Sequence, residues 1–131
     1  MMKYDEFHDG FFEGLWIDAE TAHVFLANSS RVRSVLVADG VVQLDLNGVR
    51  SGNIIFDVVI SETEEITLQD IRVLYDLRDG SEGETQGTNL LEKARLEGAK
   101  ILAISPSYGA ELLILAKSFA LFPRQDWQNK Y

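Results

Sequence analysis

The sequence predicts an α+β fold in which an antiparallel β-meander forms a strongly curved sheet or a partly open barrel. Three observations carry that prediction. Apolar and polar residues alternate with period two across most of the first sixty residues, as in Val42, Leu44 and Leu46 against Gln43, Asp45 and Asn47. Turn signals such as Asn28-Ser29-Ser30, Asp39-Gly40 and Asn47-Gly48 separate these runs at short intervals. Helical spacing enters only after Thr63, so strands precede helices and no alternating βα unit is present. Short connections place successive strands side by side, and twist bends a sheet of five or more strands upon itself.

The first strand is expected at Phe11 to Asp18 and the second at Thr21 to Ala27. A loop at Ala19-Glu20 sets Trp16 opposite His23 and Leu15 opposite Val24. Arg31 to Ala38 reads as a third strand, and Asp39-Gly40, the strongest hairpin signal in the chain, turns it into a fourth. Asn53 to Ser61 is the fifth, with Ile54, Phe56, Val58 and Ile60 on one face. Thr67 and Asp70 have the spacing of a capping box, which predicts a helix over 67–78. Asp79 to Thr88 holds three glycines and no hydrophobe and is expected to be a flexible loop. A short helix over 89–97 ends at Gly98. Two C-terminal strands follow, Lys100 to Ser105 and Glu111 to Phe122, joined by a turn at Ser105-Pro106-Ser107-Tyr108-Gly109; a helix over 110–122 is the rival for the second. Residues 124–131 form a polar tail expected to fray. The whole chain, 1–131, fits a single domain.

Composition narrows the chemistry. The chain has no cysteine, which excludes disulfides, thiolate metal sites and cysteine nucleophiles. It is consistent with a cytoplasmic protein. The N-terminal stretch lacks the apolar core of a signal peptide, and Ala110 to Phe122 carries Glu111 and Lys117, too short and too charged to span a bilayer. The net charge of −9 is concentrated in residues 1–20 and 57–97, while 21–56 and 98–131 are mildly basic. Such a balance disfavours nucleic acid and anionic membranes and suits a basic protein partner.

His8-Asp9 is the first candidate for catalysis, because a carboxylate can orient an imidazole as a general base. Neighbours in an extended chain point to opposite faces, so the pair meets only if the backbone turns, which Gly10 permits. Glu13 and His23 complete the alternative reading, a small ligand-binding protein or hydrolase-like enzyme with a His/carboxylate pocket. Few histidines and no cysteine leave no convergent set of metal ligands, and no cofactor is indicated. Ser105-Pro106-Ser107-Tyr108-Gly109 is not a nucleophile elbow, and Gly48 to Gly52 is not a phosphate loop. Phe11 and Phe12, like Leu15 and Trp16, place bulky groups on both faces of the first strand, so either both faces are covered or one meets a partner.

The block Phe7 to Ile17 (FHDGFFEGLWI) resembles the opening of small bacterial proteins that begin with His-Asp-Gly or His-Asp-Ala followed by Gly-Leu or Gly-Ile. It is loosely similar to some immunity proteins of bacterial polymorphic toxin systems, and Asn53 to Asp57 looks like a phrase of the same small-protein group. The resemblance implies a compact β-rich binder without catalysis; Leu90 to Phe122 has no counterpart in the immunity group. The leading expectation is therefore a non-enzymatic, acidic protein-interaction domain that binds a basic protein or a second copy of itself. Asp57, Glu62, Glu64, Glu65, Asp79, Glu82 and Glu84 are its candidate partner-binding residues.

Overall fold

A computed structural model describes residues 1–131. Seven strands, β1 (Met2–Lys3), β2 (Phe11–Asp18), β3 (Thr21–Ala27), β4 (Arg33–Asn47), β5 (Asn53–Ser61), β6 (Lys100–Tyr108) and β7 (Glu111–Pro123), form one antiparallel sheet. Three helices, α1 (Leu68–Leu74), α2 (Ser81–Leu96) and α3 (Arg124–Lys130), pack on its outside. The strand order is β1-β5-β2-β3-β4-β7-β6, and β5 also pairs with β6, so the hydrogen bonds run in a ring. The α+β architecture with a strongly curved antiparallel sheet is the one the sequence predicts, and 111–123 is strand.

Period two explains the interior. Ala22, Val24 and Leu26 of β3 point inward, as do Leu102 and Ile104 of β6 and Leu112, Ile114 and Ala116 of β7. The narrowest link in the ring is β2 to β5, where only Phe11↔Ile54 and Phe12↔Asn53 pair. The N-terminal segment fills the gap beside it. Its 3-10 turn, Asp5–Phe7, drives the Phe7 ring into the core, and Asp9 N–H and the Gly10 carbonyl bond to Ile55 of β5. The alternate residues Ile101 and Leu115 face outward, where Ile66, Ile71 and Leu74 cover them together with Ala94 of α2. Each such aliphatic burial is worth about 1.5–3 kcal/mol.

Six local expectations are corrected. Asp39-Gly40 is not a hairpin: β4 runs unbroken from Arg33 to Asn47. Gly40 takes φ +65° and the ladder bulges between Val41 and Gln43, so the strand bends there instead of reversing. The reason is tertiary. β7 supplies partners along β4 from Ser34 to Asn47, whereas β3 ends at Thr21↔Asp39. A turn at Asp39-Gly40 would forfeit the ladder to β7.

The 79–88 segment is not a loop. Gly80 precedes α2, whose first turn holds Glu82 and Glu84, and the helix runs on from there into the stretch where the sequence predicts a short helix over 89–97. Its glycines mark close approach: Gly87 is buried against Leu68 and Leu77, and a side chain on Gly83 would strike the Arg78 carbonyl. The helix over 67–78 ends earlier, at Leu74, because Asp76 takes φ +51° and reverses the chain. The Thr67/Asp70 capping box and the positive φ of Gly98 are both present.

The turn placed at 105–109 is mostly strand; β6 continues to Tyr108 and the chain reverses at Gly109. Pro106 sits where the β5–β6 ladder bulges, a place that tolerates its missing N–H. The same bulge changes the faces of β5. Ile55, Val58 and Ile60 point inward, while Ile54 and Phe56 point out. Finally, residues 124–131 are not a frayed tail. They form α3, anchored by Trp127.

Candidate functional site

The four residues of the catalytic alternative fall in three different surroundings. His8 and Asp9 lie at the surface, in the turn before β2. Asp9 itself, with φ +61°, makes the turn that brings the two side chains to one side; Gly10 serves another purpose, since a Cβ there would collide with the Ala27 carbonyl. His8 Nδ1 is 2.7 Å from the Phe56 carbonyl oxygen. A carbonyl only accepts, so Nδ1 carries the proton and Nε2 is the free nitrogen. Nε2 faces Asp9 Oδ2 at 3.7 Å, with both side chains more than half exposed. In a base-activating pair the carboxylate takes the Nδ1 proton and leaves Nε2 for the substrate. Here a backbone carbonyl takes that proton and the carboxylate stands against Nε2.

Glu13 lies elsewhere, 3.2 Å from Arg33 Nε, and lines a groove with Phe25, Arg33 and Arg124. His23 is opposite Trp16, as the hairpin register predicts, but it is buried beneath α3 at 1% exposure. Its ring stacks on Trp16 at 4.5 Å between centroids and accepts a hydrogen bond from Trp127 Nε1 at 2.9 Å. Burial lowers the His23 pKa below the ordinary imidazole value, against the pull of Asp18 and Asp39. No group of three or more His, Asp or Glu side chains is arranged to hold a metal ion.

Comparison with protein-family models, curated proteins and solved structures found no match.

The seven candidate acids divide by what they touch. Glu62 and Glu65 cap the 3-10 turn Thr63–Glu65, and Glu62 reaches Lys100 Nζ at 3.5 Å. Glu65 also lies 2.7 Å from the amino-terminal nitrogen of Met1, and hydrogen bonds from that nitrogen and from the Glu62 N–H lower its pKa. Asp79 accepts a hydrogen bond from Arg72 at 2.7 Å. Glu82 and Glu84 sit in the first turn of α2, where negative charge complements the helix dipole. Asp57, on β5, and Glu64 make no ion pair or side-chain hydrogen bond within the chain. Asp79 also borders a groove of about 460 Å³ with Asp45, Asn47, Gln69, Arg72 and Asp76, a polar and mainly acidic lining.

The sheet's outer surface is not covered evenly. α1 and α2 lie over β6 and β7, and α3 lies over His23 and Phe25 of β3. Between them Ile54, Phe56 and Tyr108 remain 37%, 51% and 55% exposed. Ile54 pairs with Phe11 on one side and Tyr108 on the other, so the three strands present one apolar strip. His8 meets Phe56 edge-on at 5.5 Å, and the Arg31 guanidinium lies 3.9 Å over the Phe11 ring. The sequence conceals this strip because strict alternation puts Phe56 in line with Val58 and Ile60. The only signal for the bulge is Pro106 on the facing strand. No helix is long and apolar enough to cross a membrane.

Proposed function

We propose that the chain is a non-enzymatic protein-interaction domain that meets its partner through the strip Phe11, Ile54, Phe56 and Tyr108. One observation supports this most: the inside of the ring is filled by buried apolar side chains, while large apolar groups are left on the outer face of β5. Exposed aromatics of this kind supply binding energy at protein interfaces. The acid excess steers a basic partner, and of the seven candidate acids Asp57, Glu64, Glu82 and Glu84 make no ion pair inside the chain. An immunity-like role, or association with a second copy, is a version of the same reading. Its setting is the bacterial cytoplasm.

The experiment is purification from the native host under gentle conditions, identification of the co-purifying protein by mass spectrometry, and surface plasmon resonance with the recombinant pair. Phe56→Ala with Tyr108→Ala is expected to speed dissociation. Neutralising Asp57, Glu64, Glu82 and Glu84 to their amides is expected to slow association at low salt. Rates unmoved by both variants would remove the proposal, and sedimentation of the isolated protein tests the second-copy version.

A further inference from the structure

Arg124 stands out among the cations of the chain. It opens α3 half-buried, and its guanidinium carbon lies 4.9 Å from the Phe25 ring centroid and 5.3 Å from that of Trp127. The two rings fix the side chain in place. Arg124 makes no ion pair, although acids outnumber bases by 21 to 12 in this protein. Its Nε is the one buried side-chain polar atom in the molecule without a hydrogen-bond partner. A native structure leaves few such groups unsatisfied, and each calls for an explanation. The rings explain the buried Nε; they offer no acceptor to the remaining donors of the fork.

Arg124 shares a groove of about 370 Å³ with Arg33, Phe25 and Glu13. Glu13 is the only carboxylate in the lining, and it is held by Arg33 Nε at 3.2 Å. Two guanidinium groups therefore face one carboxylate, leaving one positive charge uncompensated in a molecule of net charge −9. A groove of this size accommodates a small anion. Planar guanidinium forks match the paired oxygens of carboxylates and phosphates. We propose that this groove is a binding site for a small oxyanion, a carboxylate or phosphate group, held by Arg124 and Arg33 against the Phe25 ring. The site is independent of the apolar strip on β5.

The Trp127 indole N–H resonance reports on the groove, because its ring borders Arg124. Inorganic phosphate, citrate and chloride are titrated separately at constant ionic strength and neutral pH. A saturable shift with phosphate or with citrate, absent with chloride, is expected, and the two arms decide which oxyanion the site prefers. Arg124→Gln is expected to weaken binding about tenfold or more, and Arg124→Lys to restore only part of it. Glu13→Gln is expected to tighten binding several-fold, because it frees Arg33 from its internal carboxylate. A variant that merely misfolds cannot produce that gain. No saturable shift with either oxyanion, an equal response to chloride, or binding unchanged in both Arg124→Gln and Glu13→Gln would overturn the proposal.

Discussion

Trp127 and His23, far apart in the chain, are joined by a hydrogen bond from the indole Nε1–H to the imidazole Nδ1 at 2.9 Å. An indole nitrogen only donates, so His23 Nδ1 must be unprotonated and its proton resides on Nε2. Protonating Nδ1 would set N–H against N–H in a buried layer. This bond fixes one tautomer of His23 and ties α3 to the sheet.

The first prediction concerns acid. The charged groups placed to influence His23 are Asp18 of β2 and Asp39 of β4, both favouring the cation; Tyr131, just past α3, adds its phenol, and Arg124 and Lys130 lie on α3. Burial outweighs the carboxylates and lowers the folded-state pKa. Below the ordinary imidazole value of about 6.5 the unfolded chain binds the proton first. His23 therefore contributes full stability above about pH 6.5, and that contribution is lost as pH falls toward the folded pKa. Thermal melts from about pH 7.5 to about pH 5 are expected to show this loss in the wild type and a smaller one in His23→Gln. Amide exchange should rise first in 124–131. Equal pH slopes in the two proteins would refute the assignment.

Trp127 carries most of the docking of α3. It meets Phe25 at 5.2 Å, Trp16 at 6.4 Å and Tyr131 at 6.1 Å between centroids. Trp127→Ala is expected to cost about 2–4 kcal/mol and to leave α3 unprotected from exchange. Trp127→Phe keeps the packing but orphans His23 Nδ1, and is expected to cost about 1–2 kcal/mol. Urea melts of the two variants separate packing from the hydrogen bond, and a Phe variant as weak as the Ala variant would contradict that division.

The sequence discloses this aromatic layer only in part. Trp16 opposite His23 follows from the hairpin register, because that pairing is local. Trp127 belongs to the same layer through a contact 104 residues away, and a polar stretch around one tryptophan reads as a tail. Asp39-Gly40 misleads for the same reason: a good local turn yields to a long partner strand that appears only near the C-terminus. Gly83 and Gly87 read as loop residues because a glycine that allows close packing and one that breaks a helix look alike in sequence. The capping box at Thr67, the stop at Gly98 and the inward face of β3 are legible because each depends on neighbours within a few residues. Of the candidate site, the sequence supplies the residues His8, Asp9, Glu13 and His23, and the hairpin register that sets His23 opposite Trp16 and far along the strands from His8; the burial of His23 under α3 depends on the distant Trp127. The strip at Phe56 is hidden by a bulge.

Gly83 tests whether α2 is held by close approach. In an isolated helix Gly→Ala gains about 1 kcal/mol. Here the added methyl would strike the Arg78 backbone carbonyl, which has no freedom to rotate away. Gly83→Ala is expected to destabilise by about 1–3 kcal/mol in chemical denaturation, the reverse of the propensity effect. Gly87→Ala meets only side-chain ends, Leu68 Cδ1 at 3.0 Å and Leu77 Cδ1 at 3.3 Å, and is expected to be milder. A stabilised Gly83→Ala would show that the approach of α2 to Arg78 is not tight.

The opening turn separates scaffold from chemistry. If Asp9 serves the backbone, its left-handed conformation matters more than its charge. Asn tolerates positive φ and lacks the charge, so Asp9→Asn is expected to leave stability within about 0.5 kcal/mol of wild type. Asp9→Val, β-branched at φ +61°, is expected to cost about 1–3 kcal/mol. Gly10→Ala should be worse than either, because its Cβ meets the Ala27 and Phe7 carbonyls at the seam where β2 joins β5. Its expected signature is exposure of the Phe7 plug, read as faster exchange at Tyr4, Asp9 and Ile55, whose N–H groups bond the N-terminal segment to β5. Partner binding unchanged in Asp9→Asn and lost in Gly10→Ala would mark the His-Asp-Gly opening as structural. The reverse order would return His8 and Asp9 to consideration as a chemical pair.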